Sequence, residues 1–176
     1  RKRNNNTEYF GLLSTGNFNE GTARFYTDHI LMTTDERMLS EAEALFRFLK
    51  KRKKPSHATS LTFNHLLVAQ FNLQSRFVEL IDREIAHAKK GLNASIVIKL
   101  NNLEEKVMIG KLYEASRAGV NISLIIRGIC CLVPGVEGMS ETIRAIRIVD
   151  RYLEHGRIFI FHNNGKQEIY MGSSDW

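Results

Sequence analysis

The 176-residue chain is 43% hydrophobic and 25% charged with only two prolines, a composition that excludes overall disorder. It holds no run of about 18 apolar residues, and its N-terminal stretch RKRNNNTEYF lacks an apolar segment, which excludes a spanning helix and a secretory signal. The net charge of +6 favours polyanionic partners (nucleic acid, phospholipid heads, nucleotides, inorganic phosphate chains) without choosing among them.

In chain order, residues 8–14 read as a strand ending in the small turn Thr15-Gly16-Asn17, and Tyr26 to Thr34 as a second strand. Asp35 can cap a helix, because Met38, Leu39, Ala42, Leu45, Phe46 and Leu49 recur at helical spacing. Most of the excess charge lies at its end, in Arg47 and Lys50 to Lys54, and reads as a solvated helix end and linker. Pro55 and the loop-like SHATS place a domain boundary near residues 54–60.

Thr62 to Val68 reads as a strand or buried approach segment. Asn72 then caps a helix carrying Phe77, Leu80, Ile81 and Ile85 and stopped at Lys89-Lys90-Gly91. Ser95 to Leu100 is a strand, Glu104 to Ala118 a helix stopped at Gly119, and Asn121 to Arg127 a second apolar strand. Helices alternating with such strands argue for βαβ units and an α/β sandwich. Cys130 and Cys131 are adjacent, which suits neither a disulfide framework nor a CxxC motif; they read as reduced, partly buried thiols of a cytoplasmic protein.

Arg127 ends the second strand, at the mouth where open α/β sheets bind ligands, and could fork two hydrogen bonds to a phosphate. Arg144, Arg147 and Arg151 fall on one face of a short helix interleaved with Asp150 and Glu154. That reads as a solvated face, with Arg144, the least compensated, kept as a minor phosphate candidate. The chain closes on a hairpin: His155-Gly156-Arg157 leads into Ile158 to Phe161, then an Asn-Gly turn, a second apolar run and Gly172-Ser173-Ser174-Asp175. On a strand His155 and Arg157 leave the same face. The stretch is a seat for a phosphate or an ordinary hairpin with two polar residues at its mouth. Its pattern, an apolar strand into a small-residue turn, echoes residues 9–17, YFGLLSTGN, and suggests two similar halves.

The histidine two before a basic residue, with a Gly-Ser turn after a hairpin, resembles a phospholipase D-type half-site. Four longer strings resemble, in order and spacing, the C-terminal half of the bacterial polyphosphate kinase family: STGNFNEGTARFYTD, FNHLLVAQFN, LYEASRAGVNISLIIRGICCLVPGVEG and YLEHGRIFIF…EIYMGSSDW. The resemblance implies a phospholipase D-like α/β sandwich, a mixed sheet with flanking helices. Residues 1–57 would be the tail of a first catalytic half and residues 58–176 most of a second, truncated at its C-terminus.

It further implies reversible transfer of the terminal phosphate of ATP to a polyphosphate chain through a phosphohistidine. His155 matches the second-half histidine as catalytic and ATP-binding residue, Arg127 the arginine at the nucleotide phosphate, and Tyr26 a tyrosine at the ATP site. Arg157 joins Arg144 as a candidate phosphate contact. Mg²⁺ is implied with ligands outside this chain, as are ATP, ADP and polyphosphate as partners, no nucleic acid, and self-association of the full-length protein. The location implied is cytoplasmic, with membrane association of the full-length protein as an option.

Three departures stand out. The HxK string that the family carries upstream of STGN is missing from that place, Leu12 replaces a common histidine, and Gly156 replaces the usual serine. The chain therefore reads as a fragment that does not synthesise polyphosphate by itself. Two other readings compete: a different phospholipase D-like phosphodiesterase or nuclease, and a non-catalytic polyanion-binding module.

Overall fold

In chain order the computed structural model, which describes residues 2–3, 6–52, 54 and 61–176, begins with β1 (Lys2–Arg3), β2 (Asn6–Thr7) and β3 (Gly11–Ser14). Next come α1 (Glu20–Ala23), β4 (Tyr26–Thr27), β5 (Ile30–Thr33) and α2 (Glu36–Lys50). A π-type turn at Ala69–Leu73 leads into α3 (Gln74–Lys89), β6 (Ser95–Leu100), α4 (Lys106–Arg117) and β7 (Asn121–Ile126). The last elements are β8 (Ile143–Arg147), β9 (Leu153–Glu154), β10 (Arg157–Phe161) and β11 (Glu168–Gly172). Lys53, Pro55 and the expected boundary between residues 57 and 58 lie outside the described residues. Two compact units emerge, one of Arg1–Leu13 with Ile30–Arg76, the other of Ser14–His29 with Phe77–Trp176.

In the first unit α2 starts where expected: the Asp35 side chain accepts from Arg37 N at 2.9 Å. Its buried Leu39 and Phe48 face inward, and Phe48 meets Phe71 edge-on with centroids 5.5 Å apart. Gly11 of β3 lies against Leu39 so closely that a Cβ there would overlap Leu39 Cδ2.

Residues 62–68 form no strand. Backbone donors there go to side chains at four positions, Glu41 accepting from the amides of Asn64, His65 and Leu66 and Asn72 from that of Val68. Asn72 does not cap the next helix either: its amide donates to Phe63 O and Leu66 O while its oxygen accepts from Val68 N. The π-type turn is the local consequence, and the α-helix starts only at Gln74.

The second unit is built on a five-stranded sheet in the order β11-β10-β6-β7-β8. β6, β7 and β8 are parallel, and β10 joins β6 antiparallel, so the sheet is mixed. One face is buried throughout: Ile96, Ile98, Leu100, Ile122, Leu124, Ile126, Phe159 and Phe161 are each at most 3% exposed. The β6-α4-β7 crossover and α3 cover it, Phe77 of α3 packing on Phe159 with centroids 4.4 Å apart. Burying a side chain of this size contributes about 1.5–3 kcal/mol. The opposite face is half-covered, with Val97, Ile125, Ile158 and Ile160 intermediate and Ile146, Ile169 and Met171 exposed.

Two expectations change here. Residues 143–147 are a strand, not a helix, because β-branched Ile143 and Ile146 suit pairing with β7 and Ile143 is only 2% exposed. Tyr26 to Thr34 is not one strand: Tyr26–Thr27 pairs with β9, and Ile30–Thr33 pairs with β3. Cys130 and Cys131 are free, as expected, but exposed rather than partly buried. No helix among the described residues is long and apolar enough to cross a membrane.

Candidate functional site

β4 and β9 form a two-residue parallel ladder, Tyr26 against Leu153 and Thr27 against Glu154. Leu153 N donates to Phe25 O at 2.7 Å and His155 N to Thr27 O at 3.2 Å. This ladder, remote in sequence, sets Tyr26 beside His155: their rings lie 4.6 Å apart at 50°. Arg127, at the C-terminal end of β7, places its guanidinium carbon 5.8 Å from the Tyr26 ring centroid. Three residues singled out in the sequence therefore share one cluster.

His155 Nδ1 lies 2.8 Å from Asp28 Oδ1. A carboxylate only accepts, so the neutral imidazole carries its proton on Nδ1 and keeps the Nε2 lone pair for other chemistry. Asp28 is anchored in turn by fully buried Thr15, whose Oγ1 donates to the same oxygen at 2.7 Å and accepts from His29 N at 3.0 Å. Burial pushes the Asp28 carboxyl up, but the bonds from Thr15 and His155 and the charges of His155 and Arg157 outweigh it and hold it below its usual value. Gly16 has no room for a side chain: a Cβ there would fall onto the Asp28 carboxylate.

Arg157 plays a different part from the one its spacing suggested. It is 7% exposed and turned inward, with Nε and Nη2 forking onto Asp175 at 3.1 and 2.9 Å and Nη1 donating to His155 O at 2.8 Å. Its donors are committed to protein acceptors, so a phosphate seat on Arg157 is not what the fold builds. His155 is also not on β10 but in the two-residue segment before it.

Arg144 is not brought to the cluster. It pairs with Ser123 near the start of β7, whereas Arg127 follows that strand's end, and it lines a shallow depression with Asn121, Glu141 and Thr142.

Arg127 retains free capacity. Its Nη1 is buried and has no hydrogen-bond partner among the described residues, a donor that an incoming anion would satisfy. Among the same residues no group of three or more His, Cys, Asp or Glu could hold a metal ion. The nearby carboxylates of Asp28, Asp175 and Glu154 are engaged by His155, Arg157 and Lys99.

Sequence reasoning missed Asp28, Thr15 and Asp175 as parts of the site. Asp28 closes the string ARFYTD and Asp175 the hairpin tail, so both lay inside quoted motifs, but their partners are 127 and 18 residues away.

A family model described as "Polyphosphate kinase C-terminal domain 2" matches residues 66–176, and "Polyphosphate kinase C-terminal domain 1" matches residues 1–55. The chain is 46% identical to a polyphosphate kinase of Escherichia coli K12 over 176 residues, which is 100% of this chain and 25% of that protein. It is 48% identical to one from Vibrio parahaemolyticus over 164 residues, 93% of this chain and 23% of the relative. Among solved structures, the crystal structure of polyphosphate kinase from Porphyromonas gingivalis superposes with a TM-score of 0.86 at 47% identity, covering 96% of this chain and 27% of that one. The chain thus spans about a quarter of the length of the curated relatives it matches.

Proposed function

The chain belongs to the polyphosphate kinase family, with its mixed α/β, phospholipase D-like fold, and from that premise we propose that it supplies part of an ATP:polyphosphate phosphotransferase site. Residues 1–57 would be the tail of a first catalytic half and residues 58–176 most of a second. The phosphohistidine that relays the terminal phosphate of ATP to the polyphosphate chain, and back to ADP, lies outside this chain. The enzyme works in the cytoplasm, self-associates at full length and has no nucleic acid partner.

Arg127 neutralises the nucleotide phosphates, with its Nη1 a donor that no described protein acceptor uses. His155, held by Asp28 at Nδ1, presents Nε2 to the transferring phosphoryl group, and Tyr26 offers its ring to the same ATP. Mg²⁺ bound with the nucleotide would screen the charge of its phosphates, and no group of three or more His, Cys, Asp or Glu among the described residues offers it a ligand set.

What carries this reading is the clustering of Tyr26, His155 and Arg127, the last with a buried Nη1 that meets no acceptor among the described residues. The net charge of +6 favours a second reading, a non-catalytic polyanion-binding module. Calorimetric titration of the full-length protein with ATP, polyphosphate and duplex DNA at matched salt separates them. The kinase reading expects ATP binding that weakens by about 10-fold or more in Arg127→Ala, the loss of one charged hydrogen-bond partner. Binding that ranks DNA first and ignores the Arg127 substitution would overturn it.

A further inference from the structure

Three successive backbone carbonyls around His155 each meet a side-chain donor. Lys99 Nζ donates to Gly156 O at 2.7 Å and sits 3.3 Å from Glu154 Oε2. Arg157 Nη1 donates to His155 O at 2.8 Å. With the Asn101 amide turned so that donors face acceptors, its Nδ2 donates to Glu154 O at 3.0 Å and its Oδ1 accepts from Arg157 Nη2 at 2.6 Å.

Such clamping is needed because His155 and Gly156 lie between β9 and β10 and belong to neither strand. Gly156 has no side chain to restrict its backbone, so the peptide after His155 would otherwise turn freely. The Lys99 side chain is only 14% exposed, a poor place for an ammonium unless its partners use the charge. Its position on β6, opposite Ile158 of β10, ties the segment to the central strand of the sheet.

We infer that Lys99 is a positioning residue for His155: by fixing the Gly156 carbonyl it holds the imidazole in register with Asp28 and Tyr26. The inference rests on the reading of His155 as a reacting group. The experiment uses Lys99→Met, which keeps the stem and removes the charge, in the full-length protein. Steady-state kinetics are paired with ¹⁵N shifts of the His155 ring and with thermal unfolding.

The expected result is a fall in kcat of about 10²-fold, the cost of a small misplacement of a reacting group. KM for ATP should change by no more than about threefold, because binding is left alone. The ring nitrogens should shift towards the pattern of an imidazole without a carboxylate partner, and Lys99→Arg should recover most of the rate. A merely structural lysine would lower the unfolding temperature and leave kcat of the folded enzyme and the ring shifts as in the parent; that outcome overturns the inference.

Should Lys99→Met not fold, Glu154→Gln replaces it, with a kcat loss of about 10-fold and the same ring shift expected, since it weakens rather than removes the clamp. Unchanged kcat and shifts in that variant overturn the inference equally. A parent protein that neither binds ATP nor transfers phosphate would sink the functional reading instead, while the ring shifts still decide whether Lys99 holds His155.

Discussion

Asp28 accepts two hydrogen bonds at one oxygen, from Thr15 and from His155, and so fixes which nitrogen of the histidine stays available. Asp28→Asn is expected to lower kcat by about 10²-fold, within the range for a general acid–base group. KM for ATP should hold, and kinetics on the full-length protein check the split. Thr15→Val should destabilise by about 1 kcal/mol through loss of one hydrogen bond, read in denaturant unfolding. His155 and Arg127 were legible in the sequence because a motif and a strand end marked them. Tyr26 came only through the family resemblance, since a strand tyrosine is ordinarily packing. Asp28 was not legible as a partner: nothing local links it to a histidine 127 positions away.

At the scale of elements, the closing hairpin is held by an ion pair as well as by its ladder. Burial raises the Asp175 carboxyl, but its bonds from Arg157 and the Asn101 amide, with the Arg157 charge, bring it below the ordinary 3.8. A depressed carboxylate contributes stability above its unfolded pKa and loses it as pH falls through the native one. Asp175→Asn should therefore cost about 3 kcal/mol at neutral pH, by stranding a buried guanidinium. It should also flatten the acid side of the stability curve below pH 3.8, measured by urea unfolding across pH.

β6, α4 and β7 were legible because strong periodicity and tertiary demand agree there. β8 was not: arginines at 144, 147 and 151 mimic helical spacing, and only pairing with β7 reveals the strand. The 62–74 region failed for the same kind of reason, since Glu41 and Asn72 satisfy backbone groups that a ladder or cap would otherwise take.

At the scale of the molecule, the sheet of the larger unit is dry on one face and half-bare on the other, where Ile146 and Ile169 are 64% and 63% exposed. Apolar surface gathered on one face favours association. The 176-residue chain studied alone should therefore self-associate with concentration in sedimentation, and should bind ATP without making polyphosphate. Robust chain synthesis by the isolated 176 residues would refute the placement of the phosphohistidine outside them.

The close approach at Gly156 constrains how this sequence can change. A Cβ at 156 would lie 2.6 Å from the His29 ring, so a serine there must displace a side chain 127 positions earlier. Gly156→Ser and His29→Ala should be epistatic, with a coupling of about 1 kcal/mol in a double-mutant cycle. The two positions are sterically coupled, and any side chain added at 156 needs room made at 29.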